Sequence, residues 1–138
     1  MTTPHPVVGS WRVSIDVPSA GFRGENLATL SSDGTVVVAF PSPTPAAAGQ
    51  DHKLEYWSSA FGSWEPTNDG GAAMTFITLG ADETGRPIGT HTVTATVRAD
   101  ANGWSGPFRI EIAGPDGTVL GSLDGTVTAE RIRATSAG

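Results

Sequence analysis

The sequence predicts an all-β domain, a single antiparallel up-and-down barrel of about eight strands, and three observations carry that prediction. The first is alternation. Between 88 and 99, Thr90, Thr92, Thr94 and Thr96 fall on one face, and Gly89, His91, Val93, Ala95 and Val97 fall on the other. A period of two sustained over so many residues is strand geometry. The second is turn chemistry. Ser32-Asp33-Gly34, Asn68-Asp69-Gly70-Gly71, Asp100-Ala101-Asn102-Gly103 and Pro115-Asp116-Gly117 supply residues that tolerate positive φ, as tight hairpins demand. The third is the lack of any helical period in a chain that 18 Gly and 10 Pro cut into short pieces.

Taken in order, the strands are expected at 7–17, 24–31, 35–40, 52–65, 72–79, 88–99, 104–113 and 118–132. In the first, Trp11, Val13, Ile15 and Val17 face one way and Arg12, Ser14 and Asp16 the other. In the last, Gly121 and Gly125 are candidate bulges that let a long strand curl. Eight hairpin-linked strands with one apolar face close most economically into a barrel, with a two-sheet sandwich as the alternative. Numbering the connections makes them informative. The even ones, 32–34, 66–71 and 100–103, are short and form a floor. Of the odd ones, 18–23, 41–51 and 80–87 are longer and form a mouth, while 114–117 is tight. Phe22 is expected at a loop tip that acts as a lid. The Pro-rich 41–50 segment either arches over the mouth or is a solvated linker.

The 138 residues fit one domain, with the barrel at 7–133 and flexible ends at 1–6 and 134–138. Cysteine is absent, which excludes disulfides and thiolate metal sites. Formal net charge is -6, and the 8 basic residues are scattered, so no nucleic-acid partner is expected. Residues 1–6 carry neither a basic region nor an apolar stretch, so no signal peptide is expected and the default location is the cytoplasm. No apolar run approaches the ~18 residues of a membrane span, and no membrane partner is expected.

Gly9-Ser10-Trp11 opens the first strand, and Arg131 ends the last on the same face as Val127 and Ala129. Both fall at the closed end. This pattern resembles the calycin superfamily, the lipocalins and their relatives. The resemblance implies an indole at the barrel floor with a guanidinium packed across it. An inward Arg at a barrel end needs an aromatic face and backbone acceptors to offset its desolvation. The chain departs from secreted lipocalins in having no Cys pair and no C-terminal helical period, and is closer to the small cysteine-free lipocalin-like barrels. A second Gly62-Ser63-Trp64 and Trp104 also map to the closed end, so Trp11, Trp64, Trp104 and Arg131 form the expected structural floor.

The open half selects the candidate ligand-binding residues. They are Asn26, Val38 and Phe40; Leu54, Tyr56 and Trp57; Phe76, Thr78 and Leu79; His91 and Val93; and Ile110, Ile112 and Val119. Apolar walls with a few polar groups are the usual make-up of a small-molecule pocket. Such barrels are either packed solid or hold one small ligand, and the long loops at one end favour the cavity. The inward face of 52–65 stays open. Without a bulge His52, Leu54 and Tyr56 point inward, whereas a bulge at Ser58-Ser59 turns Glu55 and Trp57 inward. His91 and Tyr56 are the candidate catalytic groups, since an imidazole titrates near neutrality. His91 also reads as a pocket residue bonded to Tyr56 or a backbone carbonyl. His5, His52 and His91 have no metal spacing, no phosphate loop or nucleophile elbow is present, and no cofactor is expected. Two function classes follow: a module that binds a small, largely apolar molecule, or a cofactor-independent cyclase or isomerase of natural-product biosynthesis using the same cavity. The chain is expected as a monomer or homodimer.

Overall fold

The computed structural model describes residues 3–137. Ten strands appear in chain order: β1 Gly9–Val17, β2 Phe22–Leu30, β3 Thr35–Ala39, β4 Thr44–Pro45, β5 Leu54–Trp57, β6 Ala60–Pro66, β7 Ala72–Asp82, β8 Pro87–Ala99, β9 Gly103–Ala113 and β10 Val119–Arg131. A single 3-10 turn, Pro18–Ala20, links β1 to β2. No helix among the described residues is long and apolar enough to cross a membrane. The hydrogen-bonded circuit runs β1-β2-β3-β6-β7-β8-β9-β10 and returns to β1, with every pair antiparallel. The result is a closed eight-stranded up-and-down barrel, as the alternation and turns predict.

The expected strand at 52–65 is in fact two, broken at Ser58 and Ser59. Below the break β6 pairs with both β3 and β7; above it β5 follows β7 alone, with β4 as its other neighbour. The Pro-rich segment therefore forms part of a short β4–β5 hairpin, not a free arch. Phe22 belongs to β2, opposite Val17, and is not a loop tip. In β10 the register shifts between Val119 and Gly121, as a bulge there requires. Gly125 is no bulge: it permits close approach, since a Cβ would lie 2.4 Å from the Asp16 carbonyl and 2.6 Å from the Phe108 ring.

The floor is dense. Trp11 is 0% exposed, and its indole meets Trp104 edge-on with centroids 5.9 Å apart. The Arg131 guanidinium lies 4.2 Å above the Trp11 ring and donates to the carbonyls of Val8, Pro6 and Ala101. Those acceptors and the ring face replace the water that the charge loses. Gly9 completes the fit, with φ +141° and a virtual Cβ 2.6 Å from Arg131 Nη1. This is a physical reason for a Gly two residues before the floor Trp. Part of the expected N-terminal arm is held by hydrogen bonds. His5 Nδ1 accepts from the Val7 N–H while Nε2 donates to the Gly71 carbonyl, which ties this segment across the floor.

Candidate functional site: a half-open cup and its mouth

Inward-facing side chains divide the barrel axis into two zones. Toward the floor, Val36, Ala72, Val97 and Trp11 are at most 2% exposed. Toward the mouth, Ile15, Phe40, Phe76, Val93, Ile110 and Leu123 also face inward by register, yet each keeps partial exposure and packs only against the edge of the core. The mouth half is thus less completely sealed than the floor, although Val17 and Thr78, at 2% and 3% exposed, are buried there as well.

Several of the expected residues face inward toward the mouth. Asn26, Phe40, Trp57, Phe76, His91, Val93, Ile110 and Ile112 are inward and partly exposed. Others do not line it. Val38 is 4% exposed and belongs to the packed base. Tyr56 is 42% exposed and pairs with Ala81 on the outer face, so it cannot share a proton with His91 inside the barrel. Leu54 lies on that same outer face of β5, opposite Pro45. Leu79 and Val119 are 62% and 57% exposed and point outward. Thr78 faces inward but is 3% exposed, and its hydroxyl is committed to the Ser58 carbonyl. That bond, with Ser58 N–H donating to Leu79 O, holds the break between β5 and β6.

The break has one large consequence: it turns Glu55 and Trp57 inward. The Trp57 indole crosses Gly80, where a Cβ would lie 2.7 Å from the ring, and stacks on His91 with centroids 3.8 Å apart and planes 23° from parallel. Trp57 Nε1 donates to Glu55 Oε1 at 3.2 Å. Glu55 Oε2 lies 2.8 Å from His52 Nε2, and Asp51 Oδ1 lies 3.2 Å from His52 Nδ1. From the β7–β8 turn, the Glu83 carboxylate accepts the backbone N–H groups of Lys53 and Leu54. The hairpin is thereby bolted to the rim.

The two mouth histidines are tuned in opposite directions. Hydrogen bonds to the Glu55 carboxylate, and then to that of Asp51, hold the His52 imidazole above its ordinary value. Burial pushes His91 below its ordinary value, against a weaker pull upward from Glu55. Near neutral pH His91 is therefore a neutral ring, able to donate at one nitrogen and accept at the other. Chemically, the mouth offers one carboxylate, one neutral imidazole and an indole edge on one wall. Asn26 stands on the opposite wall, four strands around the circuit.

His52 and Glu55 entered the sequence reading only as open possibilities. The signal for them was the polar Ser58-Ser59 pair, which interrupts an otherwise alternating run. Two open grooves, of about 730 and 600 Å³, run along β1 and β2, and the second is lined in part by Asn26 and Phe40 together with Leu27, Pro41 and Ile132. Neither holds a convergent set of buried polar groups. No group of three or more His, Asp or Glu side chains among the described residues is placed to hold a metal ion. No protein-family model, curated protein or solved structure matches this chain.

Proposed function

We propose that the chain is a calycin-like binding module that holds a small, largely apolar molecule in the upper half of its barrel. The observation that carries the reading is the contrast along the axis: inward apolar residues are sealed at the floor, whereas most of those at the mouth, Val17 excepted, keep partial exposure. The Trp11–Arg131 stack at the closed end supports the calycin assignment. In this reading the walls supply affinity through apolar burial, and Glu55, His91 and Asn26 orient the ligand's few polar groups. The test uses an environment-sensitive apolar dye, anilinonaphthalene sulfonate, with native mass spectrometry of the freshly purified protein. Wild type should bind the dye about one-to-one, and Ile110→Trp, which fills the cup, should abolish binding without loss of the folded near-UV spectrum. Dye binding that survives both Ile110→Trp and Val93→Trp would sink the proposal.

A second reading has one observation in its favour. The neutral His91, backed by Trp57 and Glu55, is a proton donor and acceptor at the edge of an apolar cavity, as a cofactor-independent cyclase or isomerase requires. The molecule that co-purifies decides between them. If it is converted by wild type and not by His91→Gln, the enzyme reading stands.

A further inference from the structure

The outer surface of the barrel has two chemically different halves. On β9, β10, β1 and β2 three ion pairs cross between outward positions, among Ser, Thr and the exposed Leu27. Arg109 reaches Asp124 at 2.9 Å, Arg12 reaches Glu25 at 3.0 Å, and Arg23 reaches Asp16 at 3.6 Å. On β3, β6, β7 and β8 the outward positions carry no charge from Thr35 to Ala39, from Phe61 to Ser63, from Ala73 to Ala81, or from Thr90 to Thr96. Charge returns at its borders: Glu65 and Arg98 at the floor edge, Glu111 and Arg109 beside Thr92 and Thr94, and Asp82, Glu83 and Arg86 at the β7–β8 turn. Within this uncharged wall Phe61, Leu79 and Ile77 are 64%, 62% and 47% exposed. Phe61 sits directly opposite Ile77, and Leu79 is the next outward residue along β7. They rise from a flat surround of Thr75, Thr90 and Thr92. An isolated exposed apolar side chain is ordinary, but a contiguous cluster in a charge-free wall marks an interaction surface.

We propose that this wall is where a second copy of the chain docks, face to face. Two arguments select that occupant. The chain carries a net charge of -6, so two copies repel wherever charged faces meet, and this wall is where they approach without that cost. A two-fold dimer requires a self-complementary patch, and a row of apolar knobs beside a flat Thr and Ala surface is one: each copy's Phe61 and Leu79 seat on the other's flat strip. The wall spans half of the closed circuit and is convex, so two copies meet along its crest, where Phe61, Ile77 and Leu79 project, and the contact falls at the small, weak end of specific interfaces. Because the circuit is closed, β3, β6, β7 and β8 offer no continuous free edge, so contact is by side chains and not by strand addition.

Sedimentation velocity across a concentration series that spans about 1 to 200 µM tests this, since an interface of this size corresponds to micromolar dissociation. Wild type should move from the 14.1 kDa monomer to twice that mass. Phe61→Glu and Leu79→Glu each press a carboxylate onto the partner's uncharged strip and should raise the midpoint at least tenfold. Thr128→Glu, on the charged half, should leave it unmoved. Thr92→Lys, on the flat strip, provides the same readout should either glutamate variant fail to fold. A wild type that stays monomeric throughout overturns the proposal, whether or not another protein or a lipid surface is found to bind the wall. So does a dimer that Phe61→Glu, Leu79→Glu and Thr92→Lys all leave intact.

Discussion

The floor and the mouth of this barrel are made from the same eight strands but are finished by different physics. At the floor, three indoles, a guanidinium and the His5 segment pack together, and the N–H groups of Trp11, Trp64, His5 and Arg131 find backbone acceptors, with the buried Trp104 N–H the exception among the described residues. At the mouth most inward apolar residues keep partial exposure. There Glu55 accepts from Trp57 and pairs with His52, and His91 stacks on the Trp57 ring. The floor spends its side chains on burial, and the mouth leaves them available. Substitutions at the two ends should therefore separate stability from binding.

The largest effect should come from the floor. Trp11→Ala removes a fully buried indole and leaves Arg131 without its ring, and should cost about 3 to 5 kcal/mol in denaturant unfolding. A loss under about 1 kcal/mol would mean that the floor is not the stabilising end. Gly9→Ala forces a side chain into a left-handed conformation and against the Arg131 guanidinium, and should cost about 1 to 3 kcal/mol. The remaining two indoles separate packing from hydrogen bonding. Trp64 Nε1 donates to the Ser31 carbonyl, whereas buried Trp104 Nε1 has no partner. Replacing each by Phe should cost about 1 kcal/mol more at Trp64 than at Trp104, because only the first loses a bond and the second sheds an unsatisfied donor.

At the mouth the order of effects inverts. Ile110→Ala should lower stability by no more than about 1 kcal/mol, because its side chain is already partly wetted, while weakening dye binding severalfold. Equal stability losses for Ile110→Ala and Trp11→Ala would erase the distinction between the two ends. The smallest effect is the pH dependence. His91 has a folded value below that of free imidazole, about 6.5, so its contribution is present above that pH and lost as pH falls through the depressed value. His52 is shifted upward, so its contribution is present below about 6.5 and lost as pH rises through the raised value. Proton NMR should show His91 titrating below and His52 above free imidazole, with faster amide exchange in the β4–β5 hairpin on the alkaline side. The reverse order of titration would contradict the mouth geometry.

Alternation, turn residues and the Gly-x-Trp with its distant Arg were legible in the chain as written. Each depends on neighbours in sequence or on a strand's intrinsic two-residue period. That is why the eight-strand circuit, the floor residues and the inward face of 88–99 could be read directly. The candidate site was legible in part. His91, Phe76, Ile110 and Ile112 lie on uninterrupted strands, so counting by twos placed them inside. Tyr56 and Trp57 could not be placed that way, because one irregularity at Ser58-Ser59 reverses every side chain beyond it. The bond from Thr78, twenty residues away, is what holds that irregularity. The uncharged wall is likewise invisible along the chain. Phe61, Ile77 and Thr92 become neighbours only when three strands are set in register. Local pattern decides which way a regular strand faces. Closure of the barrel decides what a bulge does to that face and which outward faces come to lie side by side.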